Sequence, residues 1–166
     1  AVAAQVRSAK QIPEGHASTL DNVTVYKAPS LNFPNGCHVS EVEIDPETGV
    51  VEFVAHVAVD DVGVMLDPVR VEGQIMGGVA QGLGQVMGEM LHYDEQGQLL
   101  NASYMDYPMP RSDNVPPMKL AHHEVPCTTH PLGVKGAGES GVAGAWPAAV
   151  SAILDALRQR GVEHMD

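Results

Sequence analysis

Cysteine, aromatic residues and positive charge are all scarce in this chain, and each shortage removes a class of protein. Cys37 and Cys127 are its only two cysteines. They cannot hold an iron–sulfur cluster or a four-cysteine zinc site, and they supply no disulfide framework, so a reducing, cytoplasmic setting is expected. Aromatic residues make up 4% of the sequence, which leaves the core to Val, Leu, Ile, Met and Ala. Nine basic residues stand against 21 acidic ones, a net charge of -12, and the bases are scattered rather than clustered with aromatics. Nucleic acid and acidic membrane surfaces are thereby excluded as partners. Apolar runs fall short of the roughly 18 to 20 residues that span a bilayer, and no basic stretch followed by an apolar block opens the chain.

What is present suits one folded unit: 166 residues, 44% hydrophobic, with 17 Gly and 12 Pro that point to tight turns and close backbone approaches. Residues 1–30 carry little periodic signal beyond the alternation at Val23, Val25 and Tyr26 and read as a lead-in; residues 31–166 form the domain. From His38 to Asp60, two apolar, β-branched runs flank Asp45-Pro46-Glu47-Thr48-Gly49, the signature of a β-hairpin. Asp67-Pro68 supplies a cap and a first-turn proline for a helix to about Met90, with Val71, Ile75, Val79, Leu83, Val86 and Met90 on one face. A turn at Asp94–Gly97 and an irregular crossing to Pro117 lead to a short strand over Lys119–Val125. A glycine loop then opens a helix over Val142–Arg160 with an apolar stripe of Trp146, Val150, Ile153, Leu154 and Leu157. The fold class is α+β: a hairpin and short strands packed with a glycine-rich helix and a C-terminal helix.

The glycines carry most of the functional signal. Gly73 and Gly77, Gly78 and Gly82, and Gly84 and Gly88 lie four apart on the first helix, each at a cost of about 1 kcal/mol relative to Ala. Close packing of another backbone or close approach of a large ligand can offset it, and Gln74 and Gln81 on the same helix are candidate amide donors. Gly136-Ala137-Gly138-Glu139-Ser140-Gly141 satisfies the G-x-G-x-x-G spacing, but the helix after it consumes the chain, so no second parallel strand with its acidic residue follows. Lys135 precedes the glycines, which also excludes a P-loop. What the loop does offer is a set of uncovered backbone N–H groups at a helix N-terminus, a cradle for an anionic group. Glu139 is either a first-turn cap or, given partial burial, a general base. His122, His123 and Glu124 do not make H-E-x-x-H, and the other histidines show no ligand spacing, so all read as surface or strand residues. Asp60 and Asp61 read as strand terminators in solvent.

Several stretches together resemble a known family: Phe33–His38, the hairpin, Val59–Gly63, Glu72–Gly84, Tyr104–Tyr107 and Pro131–Leu157. They are similar to the C-terminal part of the molybdenum-binding large subunit of the xanthine dehydrogenase and aldehyde oxidase superfamily, nearest the aerobic carbon monoxide dehydrogenase-like branch. The resemblance implies half of a molybdopterin-binding domain, with molybdenum held by a pterin, usually the cytosine dinucleotide. It implies oxidative hydroxylation, or carbon monoxide oxidation, by a metal-bound hydroxide. Glu139 matches the catalytic base and Gln74 the glutamine near the metal's oxo ligand. Lys135, Gly136 and Gly138 match the cofactor-facing loop, and Gly77, Gly78 and Gln81 the helix approaching the pterin. Asp67 and Met76 depart from the Asn and His usual in relatives. The family pattern further implies a missing N-terminal part of the same subunit, iron–sulfur clusters and FAD on partner subunits or domains, a small-molecule substrate, and possible homo-oligomers. The isolated chain is then expected to be inactive. The alternative is a binding or assembly module of the same fold without chemistry.

Overall fold

A computed structural model describes residues 23–164; residues 1–22 of the lead-in lie outside the described residues. The alternating runs form two antiparallel strands, β1 (Asn35–Ile44) and β2 (Val51–Asp61). Between them the Asp45 carboxylate accepts the backbone N–H of Glu47 at 2.8 Å and of Thr48 at 3.3 Å, and Gly49 closes the turn at a φ of 75°. A bulge opposite Glu41 and Val42 leaves Val54 without a register partner. Because strand side chains alternate, that extra residue changes which parity of β2 faces inward, from His56, Ala58 and Asp60 to Phe53.

β3 (Met118–His122) pairs parallel to β2 on its other edge, giving the order β1-β2-β3. It ends at His122, short of the expected Val125, whose N–H is instead taken by the Asp61 side chain at 3.1 Å. A parallel pair demands a long crossover, and this one carries α1 (Pro68–Met87) and then an irregular stretch to residue 117. Asp67 caps α1 through the N–H of Arg70 at 3.3 Å. The helix stops at Met87 rather than Met90 because Gly88 adopts a φ of 143° and turns its N–H back to Gly84.

α2 (Ser140–Arg158) lies against β1, and α1 lies against α2. Their shared core joins Ile75, Val79 and Leu83 to Ala145, Ala149 and Ile153, and to Phe53 and Ala58 of the sheet. Full burial of each large side chain is worth about 1.5–3 kcal/mol, enough to offset the glycine cost of α1. α2 has the length and apolarity of a membrane span, and the residues it buries in the core are Gly141, Ala145, Ala149 and Ile153, with Ser140 at its start. The expected stripe is corrected at Trp146, which is 49% exposed. The helices approach too closely for an indole: a Cβ added at Gly78 would sit 2.8 Å from the Val142 nitrogen, and one at Gly82 would sit 2.9 Å from the Ala145 Cβ.

Candidate active site

The glycine loop is fastened to the end of β2 before it reaches α2. Gly63 bridges Val134, the Lys135 N–H donates to the Val62 carbonyl at 2.9 Å, and the Val64 N–H donates to the Gly133 carbonyl at 3.0 Å. Gly133 has a φ of 68° here, a left-handed conformation that disfavours a side chain. Asp61 is the clamp. Its carboxylate accepts the N–H of Gly63 at 2.9 Å, the N–H of Val125 at 3.1 Å, and the Lys135 ammonium at 2.5 Å. Burial of Asp61 raises its pKa, but the Lys135 ammonium and the two backbone donors outweigh that and bring it down to about 2. In this structure the Lys135 charge is therefore committed to Asp61, and the residue positions the loop.

Beyond Lys135 the loop opens. Gly136 and Gly138 are exposed, and a Cβ at either would meet nothing within 4 Å. The Ser140 hydroxyl donates to the Ala137 carbonyl at 3.0 Å, which sets the turn into α2. Glu139 occupies the N-cap position without making a side-chain cap bond, so the capping role is not the one its carboxylate performs. It is exposed and lines a cavity of about 390 Å³ with Phe33, Asn35, His38, Asp60 and Ala143 among its walls. The partial burial that a general base needs is thus not supplied by this chain's own atoms.

α1 divides its glycines and glutamines between two faces. Gln74, Gly77 and Gln81 are exposed, and nothing stands within 4 Å of a Cβ at Gly77. Gly78 instead faces α2, where its missing side chain is needed for helix packing. Gly141 fits against the Ile75 carbonyl, which brings Gln74 and Glu139, the near neighbours of that contact, to the same end of the helix pair. Of the residues matched from sequence to a catalytic or cofactor-binding role, Glu139 alone lines the cavity.

One expectation is corrected beside the cavity, and another is sharpened. Asp60 and Asp61 are 3% and 6% exposed, so neither ends its strand in solvent. His38 and His56 are strand residues but not surface ones: the His38 side chain is 3% exposed and His56 is wholly buried. Their ring nitrogens stand 3.2 Å apart, with Ser40 on one side and Asp60 on the other. Burial, with His38 adding to it and Asp60 opposing, lowers the His56 pKa to about 4. Linear spacing could not reveal this cluster. The available signal was polar residues at His38 and Ser40 in phase with apolar Val42 and Ile44.

Among the described residues no three His, Cys, Asp or Glu side chains converge as a metal-ligand set. A metal that arrives already held by an organic cofactor would need no such set. It would need space beside backbone donors, and Gly77, Gly136 and Gly138 leave space that a side chain would fill. The residues therefore fit such a group.

Comparison with known proteins agrees with this reading. The chain is 41% identical over 149 residues to the nicotine 6-hydroxylase large subunit of Paenarthrobacter nicotinovorans, covering 90% of this chain and 18% of that protein. It is 36% identical over 156 residues to the carbon monoxide dehydrogenase large chain of Hydrogenophaga pseudoflava, covering 94% of this chain and 19% of that one. It thus spans about a fifth of the length of these relatives. The crystal structure of quinoline 2-oxidoreductase from Pseudomonas putida 86 superposes with a TM-score of 0.84 at 40% identity, over 92% of this chain and 20% of that one. With residues 2–116 matching the molybdopterin cofactor-binding domain family, the chain belongs to that family, near its carbon monoxide dehydrogenase branch.

Proposed function

We propose that this chain forms the catalytic end of a molybdenum-dependent oxidoreductase large subunit, in which Glu139 is the proton-accepting base. The observation that carries the reading is Glu139 itself: a carboxylate at a helix N-terminus, without a cap bond, opening onto a cavity beside unobstructed glycines. When bound, a molybdopterin cofactor supplies a metal that activates a water-derived oxygen and accepts the substrate's electrons. The backbone N–H groups around Gly136 and Gly138 would hold its anionic portion, since loop amides ahead of a helix favour negative charge. Gln74 and Gln81 offer amide donors from the open face of α1, and Gly77 keeps that face flat. Lys135 acts through Asp61, holding the loop at the height from which Glu139 reaches the cavity. The Glu139 carboxylate, held by no cap bond, would accept a proton from a group bound in the cavity.

Partners follow from what the chain lacks. Two cysteines cannot hold iron–sulfur clusters, so we place those clusters on partner subunits or domains, and we assign FAD to such partners as well. An N-terminal part of the same subunit would cover the cavity and bury Glu139. The pterin is proposed to be the cytosine dinucleotide, the substrate a small molecule and the setting cytoplasmic. The test is the molybdenum and released cytosine nucleotide of the full-length protein purified with its partners. Stoichiometric amounts of both are expected. Correctly assembled protein without molybdenum would leave a binding or assembly module.

A further inference from the structure

Four polar side chains run through the core beneath the cavity without a place in the chemistry above. The Ser40 hydroxyl is 2.9 Å from His56 Nδ1, His56 Nε2 is 3.2 Å from His38 Nδ1, and His38 Nε2 is 3.3 Å from the Asp60 carboxylate. Ser40 and His56 are cross-strand partners on β1 and β2, so the sheet register fixes the middle of the string. Its ends open on different cavities. Asp60 lines the one that holds Glu139, Ser40 lines a second, of about 430 Å³, with Gly144, Pro147 and Ser151 of α2, and His38 borders both. Two glycines make the room. A Cβ at Gly144 would overlap the His38 ring, and one at Gly36 would overlap the Asp60 carboxylate. β1 and α2 have thus given up side chains at both points where the string would be disturbed.

We infer that Ser40, His56, His38 and Asp60 form a buried proton relay joining the Glu139 cavity to the second cavity. An ionised Asp60 accepts from His38 Nε2–H, so the bare His38 Nδ1 accepts from His56 Nε2–H, and the bare His56 Nδ1 accepts from the Ser40 hydroxyl. Every contact is satisfied and every donor points toward Asp60. A proton arriving on the Ser40 oxygen lets the Ser40 proton pass to His56 Nδ1, the Nε2 proton of His56 to His38 Nδ1, and the Nε2 proton of His38 to Asp60. The result is a neutral carboxylic acid in the wall of the Glu139 cavity and the opposite tautomer on both rings. The reverse shift returns a proton to solvent at Ser40 and restores the carboxylate. No step charges His56, whose burial opposes a cation.

This inference rests on Glu139 as the base, and it gives that base a second proton carrier in the same cavity. Its test uses the full-length subunit with its partners and has two arms. Nitrogen-15 spectra of histidine-labelled protein should show His56 protonated at Nε2 at neutral pH. Ser40→Ala should shift the proton balance on His38, which Ser40 does not touch. Turnover of the molybdenum-loaded complex should fall roughly a hundredfold in Ser40→Ala and in His56→Gln, the low end of what positioned proton transfer contributes. Molybdenum content and KM should be unchanged, and added imidazole should restore the rate. His38 signals indifferent to Ser40→Ala would overturn the relay whether or not the protein carries molybdenum. Coupled signals with undiminished turnover would overturn its part in the reaction.

Discussion

The glycines of α1 that face α2 and the glycines that face open space are chemically identical and do opposite work. At Gly78, Gly82 and Gly141 an added Cβ meets backbone or a core side chain, whereas at Gly73, Gly77, Gly136 and Gly138 it meets nothing. Sequence spacing alone offered helix packing and ligand approach as rival explanations for the same pattern. Helix packing accounts for one face, and the other is open, where we propose ligand approach. The inward set builds a helix pair close enough to bring Gln74 and Glu139 to one end, and the outward set leaves the surface bare at that end.

The largest effect should come from the clamp that joins the two sets. Asp61→Ala strands the Lys135 ammonium and frees three segments, and we expect urea denaturation to show a loss of about 3–5 kcal/mol, as for other buried pairs broken on one side. Gly141→Ala forces a methyl against the Ile75 carbonyl and the Val79 nitrogen, and should cost about 3 kcal/mol by the same measurement. If it proves neutral, the inward glycines are not packing devices.

Acid should separate the buried floor from the exposed rim. His56 titrates near 6.5 in the unfolded chain and near 4 in the fold, so between those values the unfolded state binds more protons. Stability is fully present above pH 6.5 and declines as pH falls toward 4, by up to about 3 kcal/mol in all. His56→Gln should remove that slope in pH-dependent unfolding. The smallest effect sharpens the comparison most: Gly77→Ala should stabilise the chain by about 1 kcal/mol while lowering the molybdenum content of the full-length protein. A Gly77→Ala protein that loses stability would place Gly77 with the inward set.

Much of this architecture is legible in the residues. The hairpin announces itself through Asp45 and Gly49, and α1 through Asp67 and Pro68, because turn and cap chemistry is local. The α2 stripe breaks at Trp146 because hydrophobicity does not encode how closely two helices approach. Glu139 and the loop glycines were readable as a cradle, yet the commitment of Lys135 to Asp61 was not, since the pair is 74 residues apart. The Ser40–Asp60 string escaped for the same reason, compounded by a bulge that changes which residues of β2 face inward.

The most direct test of the account is Glu139→Gln in the full-length, partner-bound protein, with turnover and molybdenum content measured together. The substitution keeps the size of the side chain and removes its capacity to take a proton. We expect molybdenum retained at the wild-type level and turnover reduced by roughly a hundredfold or more. Undiminished turnover with the cofactor in place would contradict the assignment of Glu139 as the base.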